Sequence, residues 1–464
     1  MRLVHAPDPR LPVERHGETN PLRRPAAPAT MPRVAVVGGG AAGVFAALAA
    51  ARLGADATLF ESSQRVGVSR ALMPLMLSDG RGEDGLLLPE ARELSGAGVE
   101  VRKGFEVAAV ARREGLLEVV RRSNGGERAR FDSVVVSTGT APSVPQVRGA
   151  SKPGVFVLRG PSDYLALSEG LGSIERVAVW GPVLLGLKVG EALARRGSSV
   201  SVYCGASGLG GQLSAPVAAM LRRSAIEGGV GAPALVDGSI DSILGVGRVE
   251  AVASGGRVSA CDAVVLLPKG APSYPDAGCA KGPNGGLLVD SSMETSVPGV
   301  FAAGDSAEVR FKAGSVPARL FSTARVGGEV AGANASGGMR TASFSWAMEQ
   351  TVLGVELCTA GLSEAEARSV GLDPATVECA FPGEGSPGQT LVSMVYDRPT
   401  RLVCGLELAG WRASSLAAAA SMVVGLGLTA DRLVHLESPY APGLAHERSP
   451  ISLTARQIPE LQGA

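Results

Sequence analysis

The chain has 464 residues, with 44 basic and 44 acidic side chains and a formal net charge of zero at pH 7. This length fits about three domains of roughly 150 residues each. Because the charges balance, the composition gives no reason to expect binding to nucleic acid or anionic lipid and favours small-molecule chemistry. The six cysteines form no CxxC pair and only four histidines occur, which argues against a bound metal and favours a reducing, cytoplasmic location.

Three stretches raise the question of disorder or membrane insertion. Residues 1–30 contain six prolines and five arginines without an apolar run, so we predict a disordered tail and no signal peptide. The stretches 34–51 and 413–430 carry no charge. The first holds a glycine motif and the second is mostly Ala, Ser and Gly, whereas a membrane-spanning helix needs about 20 mainly strongly apolar residues. We therefore predict no membrane span and interpret both stretches as buried helices.

The order of apolar stretches predicts two βαβ units. A strand at 34–37, a glycine turn, an alanine-rich helix to about residue 53 and a strand at 57–60 form the first unit. The same order recurs as a strand at 176–180, a helix to 196 and a strand at 199–203. Beyond about residue 342 the pattern changes to alternating strands at 391–396 and 402–408, followed by an apolar helix. This is typical of a separate α+β domain.

The first unit carries a GxGxxG motif formed by Gly38, Gly40 and Gly43, directly after a strand and at the start of a helix. Gly38 allows the tight turn, Gly40 lets the backbone approach a pyrophosphate, and Gly43 lets helix and strand pack closely. Glu61 ends the second strand, 23 residues after Gly38, where it can accept hydrogen bonds from an adenosine ribose. A glycine turn without a ligand is the alternative, and the agreement of strand, turn, helix and acid argues against it.

Three further motifs make the chain similar to a known family. They are Thr138-Gly139-Thr140-Ala141-Pro142, the run from Thr295 that ends in Gly304-Asp305, and the segment that begins with Ser322-Thr323 and ends at Gly332. Over about residues 32–456 the chain resembles the pyridine nucleotide–disulfide oxidoreductase superfamily, most closely its coenzyme A disulfide reductase and NADH oxidase branch.

The resemblance implies an α/β fold with two Rossmann-like dinucleotide-binding domains, one for FAD and a degenerate one of the NAD type, plus an α+β C-terminal dimerisation domain. We predict the FAD domain at 31–149 and 275–341, the NAD(P)-type domain at 150–274 and the dimerisation domain at 342–464. Asp305 is implied to bind the FAD ribityl chain, and the helix near Ser322 to point its N-terminus at the flavin. The predicted FAD-binding residues are Gly38, Gly40, Ala41, Ala42, Gly43, Glu61, Ser62, Val107, Thr138, Gly139, Gly304, Asp305, Ser322 and Thr323.

The segment after the first unit departs from the family pattern. Relatives have Ser-x-x-x-Cys-Gly-x-Pro there, with the cysteine facing the flavin, whereas residues 68–74 read Val-Ser-Arg-Ala-Leu-Met-Pro. Alignment on the proline places Ala71 in the cysteine position, and alignment on the serine places Met73 there. The first cysteine of the chain is Cys204. No thiolate from this segment can therefore attack a disulfide.

The second unit keeps only part of its glycine motif. Gly181 and Gly186 match the outer glycines, but Val183 takes the place of Gly40 and adds a side chain where a pyrophosphate would approach. Cys204 takes the position of the ribose-binding acid. Ala271-Pro272 also stands where relatives carry Arg-Pro. NAD(P)H therefore either binds in an altered manner or no longer binds tightly, and we favour the second alternative.

Lys188, Tyr440 and His446 are the candidates for catalysis. Lys188 takes the place of a family glutamate beside the nicotinamide. It either attracts an anionic substrate to the flavin or is an ordinary helix lysine whose stem lies on apolar surface. The sequence Tyr440-Ala441-Pro442 is similar to a family motif that the partner subunit contributes near the flavin, which implies a homodimer. His446 is either a proton donor near neutral pH or a surface loop histidine.

Three functions stay open at this point. The leading hypothesis is an FAD-dependent oxidoreductase that passes electrons through the flavin without a cysteine, as an NAD(P)H oxidase or an electron-transfer reductase. Its donor and acceptor would be small molecules or proteins. The second hypothesis is a non-catalytic FAD-binding subunit or regulatory dimer. The third is a disulfide reductase with a thiol from elsewhere, although the cysteines beyond Cys204 lie in stretches that indicate strand or core.

Overall fold

The computed structural model describes residues 31–79, 82–122, 127–143, 146–170, 174–211, 213–228, 231–312, 314–383, 388–439, 446 and 448–461. The predicted disordered tail at 1–30 and the motif Tyr440-Ala441-Pro442 lie outside the described residues. Within these ranges, no helix has both the length and the apolar character that crossing a membrane requires.

The strands are β1 Arg33–Val37, β2 Asp56–Glu61, β3 Glu100–Lys103, β4 Val107–Arg113, β5 Leu116–Arg121, β6 Arg128–Phe131, β7 Ser133–Val136, β8 Thr140–Ser143, β9 Val155–Val157, β10 Arg176–Trp180, β11 Ser199–Tyr203, β12 Ala234–Val236, β13 Ser242–Leu244, β14 Ala251–Ser254, β15 Arg257–Ala260, β16 Ala263–Leu266, β17 Lys269–Pro272, β18 Leu287–Val289, β19 Val300–Ala302, β20 Ala307–Phe311, β21 Gly314–Pro317, β22 Met348–Val352, β23 Val355–Gly361, β24 Pro374–Pro382, β25 Gln389–Asp397 and β26 Val403–Gly410.

The helices are α1 Ala41–Arg52, α2 Met73–Asp79, α3 Glu93–Gly96, α4 Pro161–Gly170, α5 Val183–Arg195, α6 Ala215–Glu227, α7 Phe321–Ala335, α8 Glu364–Ser369, α9 Ala417–Gly425, α10 Ala430–Leu433 and α11 Pro450–Ala455. Short 3₁₀ turns include Arg70–Leu72, Gly304–Ser306 and Ala413–Leu416.

Two five-stranded parallel sheets confirm the predicted α/β fold with an internal repeat. The first has the strand order β19-β7-β1-β2-β3 and the second β12-β11-β10-β16-β9. In both, the first strand of the βαβ unit is central, with its partner strand on one side and a later strand on the other. The central strands are apolar without alternation, as strands covered on both faces require. The strands β8 and β17, which pair with each other, lie in the two connections between these parts of the chain.

Helix α1 is buried from Ala42 to Ala50, as expected for the stretch 34–51. It packs against α7, and the two backbones approach closely because both helices carry small residues. A methyl group on Gly328 would lie 2.3 Å from the Ala42 carbonyl oxygen, and one on Gly332 would lie 2.0 Å from that of Ala46. The close contact fixes α7 relative to the glycine motif of the first unit.

The C-terminal part contains a five-stranded antiparallel sheet of order β22-β23-β26-β25-β24, in agreement with the predicted α+β architecture. Helix α9 packs against β23 and β26 of this sheet. The interpretation of 413–430 as a buried helix is wrong, because only one side of α9 contacts the sheet. Ala420 and Val423 are buried, while Met422 and Leu426 on the opposite side are 63% and 72% exposed.

Glu407 of β26 connects the C-terminal sheet to α6. Its two carboxylate oxygens accept hydrogen bonds of 3.0 and 3.3 Å from the backbone N–H of Ser214, the N-cap residue of α6. A carboxylate at this position interacts favourably with the positive end of the helix. Burial nevertheless raises the pKa of Glu407 to about 7, against the lowering effect of the Ser214 bonds, and the Glu378 carboxylate adds to the increase.

The raised pKa of Glu407 predicts a pH-dependent stability. The folded protein binds this proton more tightly than the unfolded chain does, so the free energy of unfolding decreases as the pH rises from about 4.5 to about 7. Glu407→Gln keeps an acceptor for Ser214 but removes the titration. Thermal melts across this pH range should show a smaller decrease in Tm for the variant than for the wild type. Equal decreases would contradict the assignment.

Candidate functional site

The carboxyl ends of β1, β7 and β19 meet at one edge of the first sheet. From β1 the chain continues to β2 on one side, and β7 lies on the other, so the strand order reverses between β1 and β7. Ligands of open parallel sheets bind in the crevice beyond such a reversal. The residues that follow these strands, among them Gly38, Ser137 and Gly304, therefore lie at one crevice.

Close contacts exclude a side chain at two glycines of the motif after β1. Gly38 has φ +103°, and a methyl group there would lie 2.5 Å from the Ser137 carbonyl oxygen. A methyl group on Gly43 would lie 1.8 Å from the Gly38 carbonyl oxygen. The Ser137 hydroxyl donates to that same oxygen at 3.0 Å and holds the turn against the end of β7. Both glycines are thus required by the fold of the turn itself.

Gly40 differs, because the fold does not require a glycine there. It is the N-cap residue of α1 with φ −72° and ψ −169°, an extended conformation that any residue adopts. A methyl group on Gly40 would meet no atom within 4 Å. The space lies in front of the helix N-terminus, where the N–H groups of the first turn, including Ala41 and Ala42, lack partners within the helix. Such a space is suited to a phosphate.

Glu61 lies at the carboxyl end of β2, next to the glycine motif. Its carboxylate accepts hydrogen bonds of 2.7 Å from the backbone N–H groups of Gly39 and Ser63, which fix its position. A carboxylate has about four acceptor sites, so it can accept further bonds from a ligand. Ser62 lines a cleft of about 350 Å³ together with Gly104, Glu106, Arg121 and Arg122.

Val107 begins β4 beside this cleft. Its side chain is buried in the main hydrophobic cluster. The segment is tied to the end of β2 because the Phe105 N–H donates to the Glu61 carbonyl oxygen at 2.9 Å. The described contacts therefore give Val107 a packing role beside the cleft.

Asp305 lies in the 3₁₀ turn after β19. Gly304 before it has φ +69°, and a methyl group there would lie 2.9 Å from the Cβ of Ala42, so the turn packs directly on α1. The Asp305 carboxylate makes no hydrogen bond or ion pair with the residues that the structure describes. Burial raises the pKa of Asp305, while the nearby guanidinium groups of Arg70 and Arg319 lower it.

Two other predicted residues use their side chains within the protein. The Thr138 hydroxyl donates to the Ser273 carbonyl oxygen, and Gly139, with φ +71°, accepts a bond of 3.0 Å from the Ser273 N–H. Thr138 and Gly139 thus hold the chain that leaves β7 against the returning chain. A ligand contact from this segment would therefore come from its backbone groups and not from the Thr138 hydroxyl.

The N-terminus of α7 is capped by its own third residue. The Thr323 hydroxyl accepts from the Leu320 N–H at 3.1 Å and donates to the Leu320 carbonyl oxygen at 2.8 Å. The Ser322 hydroxyl donates to the Ala347 carbonyl oxygen at 3.2 Å. Both hydroxyls position the helix, so the contribution of α7 to a ligand comes from its N-terminal backbone and helix dipole.

The two alignments place the family cysteine at positions that differ in exposure. Ala71 is exposed in the 3₁₀ turn Arg70–Leu72, whereas Met73 at the start of α2 is buried in the hydrophobic cluster that contains Val183. The guanidinium of Arg70 donates to the carbonyl oxygen and the hydroxyl of Thr140 at 3.3 and 3.0 Å. The exposed turn near the crevice therefore carries Arg70 and Ala71.

The second unit closes the space that the first leaves open. Helix α5 begins at Val183, one residue earlier in the motif than α1, and Val183 is 3% exposed. Cys204, in the position of the ribose-binding acid, is buried, and burial raises its pKa to about 11. The close helix–strand contact is made at Gly190, where a methyl group would lie 2.6 Å from a Val202 methyl. At Gly186 that distance is an ordinary 3.4 Å.

Lys188 lies half-buried on α5, on the helix that packs against α2. Its ammonium forms no hydrogen bond or ion pair with any residue in the described ranges. Burial lowers the pKa of Lys188, and the Glu191 carboxylate acts in the opposite direction. The lysine is therefore a cation without a described partner.

His446 contacts the C-terminal sheet. Its Nε2 lies 2.9 Å from the Thr390 hydroxyl oxygen, and its ring packs edge-on against Trp411 with 4.9 Å between ring centroids. The histidine is half-buried. The described contacts within one chain give it a packing role.

All six cysteines are free thiols. Burial raises the pKa of Cys261, Cys358 and Cys404 to about 11, as it does for Cys204, and it also raises the pKa of Cys279. Thiols with raised pKa form little thiolate near neutral pH and react slowly.

Comparison with known proteins identifies the family of the chain. The model of the family described as pyridine nucleotide-disulphide oxidoreductase matches residues 32–337. The chain belongs to this family. An NAD(P)H coenzyme A polysulfide/persulfide reductase of Pyrococcus horikoshii is 27% identical over 445 residues, which cover 92% of this chain and 98% of the relative.

Solved structures agree in fold. The water-forming NADH oxidase from Lactobacillus brevis, bound to NADH, has a TM-score of 0.80 and 22% identity, covering 92% of this chain and 97% of that one. Putidaredoxin reductase, in its covalent complex with putidaredoxin, has a TM-score of 0.71 and 18% identity, covering 86% and 94%.

Family membership confirms the predicted enzyme class, an FAD-dependent oxidoreductase, with FAD and NAD(P)H as the family's cofactors. The residues of the first unit fit FAD. The space at Gly40 is open in front of α1, the cleft lined by Ser62 lies next to Glu61 in the chain, and the Asp305 carboxylate has no partner among the described residues.

The different surroundings of Gly40 and Val183 give a direct test. Gly40→Leu adds a side chain only where a ligand would lie, so we expect a folded protein that loses at least about nine-tenths of its FAD. The matched variant Val183→Leu overpacks a buried site at a cost of about 1–3 kcal/mol but should keep its FAD. Flavin absorbance after heat release, with a thermal melt as control, measures both. Equal FAD contents would contradict the assignment.

Proposed function

We propose that the protein is an FAD-dependent oxidoreductase that transfers electrons from NAD(P)H through the flavin to an acceptor without a redox-active cysteine. The observation that carries the proposal is that the crevice keeps the features for binding FAD but has no cysteine in the exposed turn beside it. The first unit keeps the open space at Gly40, while the exposed position beside the crevice is Ala71. Relatives named as an NADH oxidase and an NAD(P)H-dependent persulfide reductase support the class of donor.

The residues of the crevice have distinct roles in this proposal. The N–H groups at the start of α1 bind the pyrophosphate, Glu61 accepts from the adenosine ribose, and Asp305 accepts from the ribityl chain. The N-terminus of α7 faces the flavin and stabilises negative charge on it. Bound FAD supplies the two-electron redox chemistry, and the protein supplies position and electrostatics.

A disulfide reductase with a thiol from another part of the chain is a weaker candidate. Burial and raised pKa values of Cys204, Cys261, Cys279, Cys358 and Cys404 argue against a thiolate nucleophile. Only Cys379 is partly exposed, and it lies within β24 of the C-terminal sheet.

A non-catalytic FAD-binding subunit is the second candidate, and Val183 favours it. The buried Val183 side chain occupies the point where a second pyrophosphate would approach, and the buried Cys204 offers no carboxylate to a ribose. Both features disfavour NAD(P)H binding in the arrangement that we propose for FAD in the first unit.

Anaerobic stopped-flow absorbance with NADH and NADPH separates the two candidates. We expect one of the two nucleotides to bleach the flavin band, with an apparent Kd that Val183→Gly lowers at least about tenfold because it reopens the pyrophosphate position. Val189→Gly, a matched loss of a buried valine on the same helix, should leave this Kd unchanged. Absence of bleaching by both nucleotides would reject the proposed donor and favour the non-catalytic subunit.

We also propose a homodimer formed by the C-terminal part. The exposed side of α9 carries Met422 and Leu426, and Leu436 nearby in the chain is 59% exposed, with no charged residue in 413–430. Exposed apolar patches of this kind commonly mark interfaces.

Three further expectations remain predictions. They are the role of Tyr440 and His446 at a partner's flavin, the domain boundaries at 149/150, 274/275 and 341/342, and the cytoplasmic location.

Light scattering tests the homodimer. We expect the wild type to have twice the mass of one chain, and Leu426→Glu to shift it towards the monomer because the variant places a charge in the apolar contact. Val246→Glu replaces a valine that is 91% exposed in another part of the chain and should leave the mass unchanged. A monomeric wild type would end this proposal.

A further inference from the structure

Arg70 is held at the crevice by the chain that leaves β7. Its two terminal nitrogens donate to the Thr140 carbonyl oxygen at 3.3 Å, and one of them donates to the Thr140 hydroxyl at 3.0 Å. The side chain remains exposed. A guanidinium has five N–H donors, so several remain available after these bonds.

Arg319 lies near the same crevice, in the short connection between β21 and α7. The Ala318 N–H donates to the carbonyl oxygen of Ala307 at 3.1 Å, which places Arg319 close to the turn that contains Asp305. Arg319 is exposed and directly precedes the N-cap residue of α7. It forms no hydrogen bond or ion pair with any residue that the structure describes.

Arg70 and Arg319 share the lack of an acidic hydrogen-bond partner among the described residues. Many other arginines bind a carboxylate, as Arg325 of α7 does with Glu329 at 3.1 Å. At the crevice, by contrast, the guanidinium groups of Arg70 and Arg319 lie near the Asp305 carboxylate. Burial opposes the ionisation of that carboxylate. The end of the crevice at Asp305 therefore carries two positive charges beside one carboxylate, whereas Glu61 lies at the end of β2.

We propose that Arg70 and Arg319 bind a small anionic substrate, one with a carboxylate, oxyanion or thiolate group, beside the flavin. The proposal rests on the proposed function, since it names the substrate class of that site. Guanidinium groups bind such anions by paired, charge-assisted hydrogen bonds. The pyrophosphate of the cofactor already has its place at Gly40 and α1, so the two arginines are available to a second anion.

An equilibrium titration tests this site independently of turnover. Oxidised, FAD-loaded protein is titrated with oxalate at constant ionic strength, and the flavin absorbance is followed. Oxamide, the neutral analogue of similar shape, is the ligand control. Arg70→Gln and Arg319→Gln are compared with the wild type and with Arg325→Gln, a matched arginine on α7 that is already paired with Glu329. Arg70→Lys keeps the charge if the Gln variant does not fold.

We expect oxalate, but not oxamide, to perturb the flavin spectrum of the wild type. Arg70→Gln and Arg319→Gln should each raise the Kd for oxalate at least about tenfold, Arg70→Lys should raise it less, and Arg325→Gln should leave it unchanged. Oxalate that does not bind to the wild type, or binds equally well to both Gln variants, would overturn the proposal. Loss of FAD from these variants would also overturn it and assign the arginines to the cofactor. Flavin reduction by NADH or NADPH in the wild type tests the proposed function separately.

Discussion

The approach of a phosphate to the backbone at Gly40 is the constraint on which the rest of the first unit depends. The space in front of α1 is open, and the contacts behind it are close. Gly43 lets α1 lie directly on the turn at Gly38, and Gly328 of α7 lets a second helix pack against α1. These contacts bring the ends of three strands and the N-termini of two helices to one crevice. Small residues thus determine where the charged ones, Glu61 and Asp305, can act.

The second unit shows what one side chain changes at the same place in the same topology. Both sheets have their first βαβ strand in the centre and a reversal of strand order beside it. In the second unit the helix begins at Val183, whose buried side chain belongs to the same hydrophobic cluster as Met73 of α2. The segment that carries the family cysteine in relatives therefore helps to fill the second unit in this chain.

Much of the fold could be predicted because the glycine motifs and apolar strands are local signals. The strands 176–180 and 199–203 match β10 and β11, and the sheets confirm the predicted repeat. The exposed side of α9 was missed because composition does not show which face of an apolar helix contacts the core. The role of Gly190 was missed because motif spacing pointed to Gly186, and the contact depends on the side chain of Val202.

Side-chain partners were the least predictable part of the site. The sequence pointed to Thr323 as a ligand of FAD, yet its hydroxyl caps α7, because a threonine at the third helical position can bond back to the N-cap residue. Arg70 and Arg319 lie far apart in sequence and carry no motif. Their relation appears only once β7 and β19 are adjacent in the sheet. The sequence offered one signal, because Arg70 lies within the segment where relatives carry the cysteine.

The central claim, that electrons pass through the flavin without a thiol, is tested most directly by an anaerobic reductive titration with dithionite. Flavin alone accepts about two electrons, whereas a flavin with a redox-active cysteine centre accepts about four. We predict complete reduction after about two electrons per FAD, without a long-wavelength charge-transfer band between thiolate and flavin. Uptake of about four electrons, or the appearance of that band, would contradict the account and return a cysteine to the reaction.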